Sequence, residues 1–139
     1  MLSGLGADEL LAGYARHRQA WRRGGYDALT KELQLDLDRI PTRNLGRDDR
    51  VLSSHNREVR YPYLARQVVA YLASLPVQAK AYFELDELGD KYLLRCLATH
   101  LGLTYAAQLP KRAIQFGTRS AKMDAAGAHA KGTAQAFAS

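Results

Sequence analysis

Ser3-Gly4-Leu5-Gly6-Ala7-Asp8-Glu9-Leu10-Leu11-Ala12-Gly13-Tyr14 is a glycine turn that runs directly into a helical pattern. Gly4-Leu5-Gly6 makes the turn. From Ala7 onward, Leu10, Tyr14, His17 and Trp21 recur at helical spacing with Leu11 beside them, until Gly24-Gly25 ends the run. Glycines let backbone N–H groups approach a ligand, and the positive end of a helix favours an anion there. Asp8 and Glu9, in the first turn, offer oxygen ligands to a divalent ion. An ordinary capped helix start draws on the same residue types, so the segment by itself leaves all three readings open.

Outward from this stretch the pattern stays helical. Asp27 is a good N-cap for a second helix with the stripe Leu29, Leu33, Leu37 and Ile40. Pro41 bounds that helix, and Thr42 caps a third, polar segment reaching about Ser54. Tyr61 precedes Pro62, where an extended backbone is preferred, and so belongs in a loop. A fourth helix carries Val68, Val69, Leu72 and Leu75 up to Pro76. Val77 to Gly89 has no clear period and reads as a loop containing a turn. Asp90 caps a fifth helix with Leu94, Leu97 and Leu101 on one side and Gly102 as its stop. A basic loop follows from Lys111 to Gly117, then a short helix from Thr118 to about Met123. The chain as it stands is mainly α, without a convincing strand or an internal repeat.

Composition narrows the function classes. Of 139 residues, 47% are hydrophobic and 24% charged, the balance of a folded globular chain. No apolar run approaches the roughly 20 residues of a membrane span, and the N-terminal residues lack a signal-peptide pattern. One cysteine excludes an internal disulfide, and the expected compartment is the cytoplasm. The net charge is +6, but its arginines are scattered from Arg16 to Arg119 with no run longer than Arg22-Arg23. Nucleic-acid binders concentrate their charge, so neither nucleic acid nor membrane is an expected partner. The four histidines share no metal-ligand spacing; His17 and His100 fall on helix patterns as packing or surface residues. Cys96, within an amphipathic helix, reads as a buried and inert thiol. Lys111 reads either as a surface lysine or as a charge-neutraliser for a phosphate or a tetrahedral intermediate.

Four segments in order carry a family resemblance. Ser3 to Tyr14 resembles the S-G-x-G-x-D-E-x-x-x-G-Y motif of asparagine synthetases. Arg57-Glu58-Val59-Arg60-Tyr61-Pro62-Tyr63-Leu64 is similar to that family's E-x-R-x-P-[FY]-L element. Lys91-Tyr92-Leu93-Leu94-Arg95 resembles its K-x-x-L-R helix, and Lys111 to Gly117 its lysine-bearing active-site loop. The resemblance covers about Leu2 to Met123. It implies that residues 1–123 are the helical C-terminal part of an α/β ATP-pyrophosphatase domain whose parallel sheet is missing; 124–139, outside the resemblance, are Ala/Gly-rich with no apolar stripe and are expected to be a disordered tail. It also implies glutamine-dependent, ATP-driven amide formation on aspartate through an acyl-adenylate. Ser3, Gly4, Gly6 and Asp8 would then contact ATP, Asp8 would hold Mg2+, and Glu58 and Lys111 would be catalytic. The expected partners are the upstream half of the same domain, aspartate and ATP.

The departures from the family pattern are specific. Neither the pyrophosphate-binding S-G-G-x-D-S loop nor the glutaminase cysteine is present, so the chain by itself is expected to be inactive and to bind no cofactor tightly. Against the template it begins too late, as an incomplete product of a longer parent would. Leu5 stands where well-characterised members have a glutamate that contacts the reacting intermediate, and leucine has no group to accept a hydrogen bond. Ala65 replaces a usual aspartate and Asn56 a common glycine, and either Lys111 or Arg112 fills the lysine slot. Two function classes follow: a piece of an amide-forming ligase, or a non-catalytic interaction or scaffold protein that keeps the fold.

Overall fold

The computed structural model describes residues 1–113. Met1–Leu109 forms one compact unit, and a second unit begins at Pro110. The short helix expected from Thr118, most of the lysine-bearing loop and the tail 124–139 lie outside the described residues. Among the described residues seven α-helices follow one another: α1 (Ala7–Leu10), α2 (Ala15–Ile40), α3 (Gly46–Ser53), α4 (Arg66–Ser74), α5 (Val77–Lys80), α6 (Tyr92–His100) and α7 (Thr104–Ala107). Among the described residues there is no strand longer than one isolated parallel bridge, Leu2 with Arg60. The mainly α expectation holds. No described helix is long and apolar enough to cross a membrane.

The helix expected to run unbroken from Ala7 breaks after one turn. Ala12 adopts a left-handed φ of 59°, and the Gly13 N–H bonds back to the Asp8 carbonyl at 2.8 Å, the six-to-one closure of a Schellman cap. The apolar spacing across the break misled because Leu10 and Leu11 face one cluster while Ala12 enters another. Leu10, Leu11 and Leu72 form the first, with Leu64, Val68 and Leu94 packed around it. Ala12, Leu29, Leu33, Ala81 and Phe83 form the second, covered by Trp21, Tyr26 and Val77. Gly24-Gly25, expected to end one helix before Asp27 caps the next, instead kinks α2, which runs on through Asp27, with Gly25 at φ 64°, ψ −156°, backbone that only glycine adopts readily. The kink lets Trp21 and Tyr26, on either side of it, meet edge to face at 6.3 Å over Phe83.

Four further expectations are corrected. Pro41 does not end the helix: the chain widens into a π-helical turn, Pro41–Leu45, and continues into α3. A widened turn absorbs the missing proline N–H and the clash of its ring with the preceding turn. Thr42 is no N-cap, because its hydroxyl donates back to the Arg39 carbonyl at 3.1 Å. Val77 to Gly89 is not a plain loop; it holds α5 and a 3-10 helix, Phe83–Leu88. Asp90 does not cap α6. That position belongs to Lys91 at a left-handed φ of 50°, while the Asp90 carboxylate binds Arg95 at 2.9 Å. Arg95 also reaches the Ala107 and Leu109 carbonyls at 2.7 and 2.8 Å, closing the end of α7.

Candidate functional site

The loop before α1 is built from two directions. Ser3 donates its N–H to the Arg60 carbonyl at 2.9 Å and the Met1 carbonyl accepts from the Arg60 N–H at 2.8 Å, which lays the loop beside the 57–64 element. Gly6 then turns with φ 97°, and a β-carbon there would stand 2.5 Å from Leu64 Cδ2. Both the turn and the contact with the Tyr63-Leu64 corner therefore require glycine. Gly4 is different: it is exposed and a side chain there would meet nothing.

The amides of Leu5, Gly6 and Ala7 are already engaged. Leu5 N–H donates to Ser3 Oγ at 3.3 Å, Gly6 N–H to Glu9 Oε2 at 3.2 Å, and Ala7 N–H to the Gly4 carbonyl at 3.2 Å. Glu9 thus makes the carboxylate half of a capping box, the Gly6 cap having no side chain to complete it, and its other oxygen accepts from Tyr14 Oη at 2.6 Å and Asn44 Nδ2 at 3.1 Å. Glu9 is buried and fully engaged within the protein, which removes it as an open metal ligand. Burial, with Glu9 beside it, pushes the Tyr14 phenol up, so Tyr14 remains the donor in this bond.

Asp8 lies on the open side of α1 and pairs with Lys91 Nζ at 3.3 Å. Gly13 is packed against the Asp8 carboxylate, with no room for a β-carbon between them. Among the described residues no group of three or more His, Cys, Asp or Glu side chains is placed to hold a metal ion. Asp8 therefore brings one carboxylate and Lys91 one cation, and the loop brings no open cradle of amides. That set does not fit a complete Mg2+–ATP site within these residues. Glu58 sits on the exposed edge beside the Leu2–Arg60 bridge, paired with Arg60 at 2.9 Å. Lys111 and Arg112 belong to the second unit.

Three of the four sequence motifs are thus brought together: the Ser3 loop, the 57–64 element through Arg60 and Leu64, and the K-x-x-L-R helix through Lys91. Two buried groups were not singled out from sequence as a pair. His17 is fully buried, its Nδ1 accepting from the Tyr14 N–H at 3.3 Å and its Nε2 lying 2.7 Å from Asp36 Oδ2. That fixes a neutral ring with the proton on Nε2. Arg16 reaches the same oxygen at 2.6 Å. An aspartate inside an otherwise apolar stripe, Leu33-Gln34-Leu35-Asp36-Leu37, was the available signal. Cys96, expected to be buried, is exposed.

A family model described as asparagine synthase matches residues 22–131. Asparagine synthetase domain-containing protein 1 of Homo sapiens is 53% identical over 125 residues, covering 89% of this chain and 19% of that protein. An asparagine synthetase domain-containing protein of Drosophila melanogaster is 42% identical over 135 residues, covering 92% of this chain and 24% of its own length. A putative glutamine-hydrolysing asparagine synthetase of Methanocaldococcus jannaschii is 31% identical over 155 residues, covering 88% of this chain and 28% of its own. The chain spans about a fifth of the length of the first of these relatives. No solved structure matches it.

Proposed function

Because this chain belongs to the asparagine synthase family, we infer that it supplies the helical C-terminal part of a glutamine-dependent synthetase domain in the cytoplasm. In the whole domain, an α/β ATP-pyrophosphatase fold, aspartate is activated by ATP as an acyl-adenylate and ammonia then displaces AMP. The observation that carries this reading is the convergence of three family motifs around Gly6 and the Asp8–Lys91 pair. The Leu2–Arg60 bridge is the place where a parallel sheet from upstream residues would continue. Asp8 would face Mg2+ and the phosphates of ATP from this side, with Ser3 and Gly4 at the mouth of the loop. Glu58 and Lys111 would serve at the reacting carboxyl group. Because the amides of Leu5, Gly6 and Ala7 bond internally, the upstream half of the domain would supply the pyrophosphate cradle.

Leu5 favours the second reading, a protein that retains the fold without turnover, since no carboxylate stands at that loop position. Pyrophosphate release from aspartate, ATP and ammonia separates the two. The isolated chain is expected to give none above a no-protein blank. The chain co-expressed with the upstream half of its parent domain is expected to release pyrophosphate and AMP, with the rate lost in Asp8→Asn and Lys111→Ala. A co-expressed complex that folds and binds ATP yet never releases pyrophosphate would leave only the scaffold reading.

A further inference from the structure

Behind the Glu9 carboxylate at the start of α1 lies a second polar feature, independent of the proposed synthetase role. It is a cavity of about 200 Å³ between the start of α2, the end of α2 and the π-helical turn. Glu9, Tyr14 and Arg16 form one wall; Asp36, Arg39, Arg43 and Asn44 form most of the other. π-Turns cost regular hydrogen bonding and cluster at functional positions. This one carries Arg43 and delivers Asn44 to Glu9 at 3.1 Å, so it shapes the cavity directly.

The charges inside are unevenly satisfied. Asp36 is 4% exposed and is matched by Arg16 at 2.6 Å and by the His17 ring at 2.7 Å. Glu9 is 3% exposed and holds three hydrogen bonds of its own. The Arg16 guanidinium is held in place by stacking on the Tyr14 ring at 4.0 Å. Arg39 and Arg43, one helical turn apart on the same wall, have no hydrogen-bond or ion-pair partner for their guanidinium groups among the described residues. Arg16 is compensated by Asp36 and, at 3.6 Å, by Glu32, so the excess positive charge of the cavity comes from Arg39 and Arg43. Guanidinium forks match the paired oxygens of phosphate and carboxylate groups. The volume falls below the roughly 300 Å³ at which sites for drug-sized ligands begin. That selects a small ion over a nucleotide.

We propose that this cavity is a binding site for a small oxyanion, phosphoryl or carboxylate, held between Arg39 and Arg43 with Arg16 as the fixed third cation. The test is titration of the full ¹⁵N-labelled chain with inorganic phosphate and, separately, with malonate, chloride holding the ionic strength constant. Saturable shifts of the Arg39 and Arg43 Nε–Hε resonances are expected, with a dissociation constant on the order of 1 mM for the preferred ion. Affinity should fall at least about tenfold in the Arg39→Gln/Arg43→Gln double variant, which is the loss of about 1.4 kcal/mol. Arg22→Gln/Arg23→Gln, which removes the same charge away from the cavity, should bind as the parent does. Should the double variant fail to fold, Arg43→Gln alone, at an exposed position, is read in its place. Saturation by phosphate alone assigns a phosphoryl ligand, and saturation by malonate alone assigns a carboxylate. Shifts that never saturate with either ion, or binding weakened equally by the Arg22/Arg23 control, would overturn the proposal.

Discussion

The α1–α2 end of the molecule and the α6–α7 end are built from similar leucine-rich helices and treat them in opposite ways. Around α2, Leu29 and Leu33 are buried and even the polar groups Glu9, His17 and Asp36 are enclosed with partners. Along α6 and α7, Leu97 is 50% exposed, Leu101 64% and Tyr105 78%. An apolar groove of about 480 Å³ between α4 and α6, lined in part by Tyr71, Leu72, Leu93 and Leu97, opens beside them. The first region closes a core with its own residues; the second presents a surface of a kind that folded monomers seldom leave uncovered. Sequence periodicity is the same in both. What differs is whether another element within the described chain arrives to cover the stripe.

The largest expected effect lies in the closed region. Leu29→Ala should cost about 2–5 kcal/mol in urea unfolding, since the methyl groups leave a cavity between Ala12, Leu33 and Phe83. A cost below about 0.5 kcal/mol would show that this core is as loosely held as the α6 face. Acid should act next, and through the same region. Burial holds the His17 ring below its ordinary value of 6.5, against the upward pull of Asp36. The unfolded chain then takes up a proton near pH 6.5 that the folded chain takes up only at lower pH. Stability present above pH 6.5 is therefore lost as pH falls below it. His17→Gln, which keeps a donor for Asp36, should flatten the fall of the urea midpoint between about pH 7.5 and 5.5. An identical slope in the two proteins would place the acid sensitivity elsewhere. The smallest effect belongs to the open region. Leu97→Ser with Leu101→Ser should leave the midpoint within about 0.5 kcal/mol while lowering the binding of a hydrophobic dye. A large loss of stability would mean that these side chains are covered in solution.

Much of this was legible from local pattern. The interruption of helical backbone at Gly24-Gly25, the stripe Leu29/Leu33 and the loop position of Tyr61 before Pro62 were legible because each has a local cause. The misreadings share a non-local one. The break after Leu10 depends on Ala12 being drawn into the core beside Leu29 and Ala81, against the ordinary preference of alanine. Asp90 looked like a helix cap, but Arg95, one turn into α6, takes its carboxylate. Pro41 looked like a stop, but the turn could widen around it. At the candidate site, the motif residues were visible one by one, while their meeting depended on Leu64 seating against Gly6 and on Lys91 reaching Asp8. Periodicity carries no information on such pairings.

Cys96 carries a practical consequence. It is the chain's sole thiol, exposed on α6 and lining a shallow hollow with Leu88, Tyr92 and Thr99. A maleimide therefore attaches at a single defined point on the uncovered side, and its rate of attachment becomes a clock for cover. Whatever settles on that side, whether another stretch of polypeptide or a second copy, slows the clock without any residue being changed.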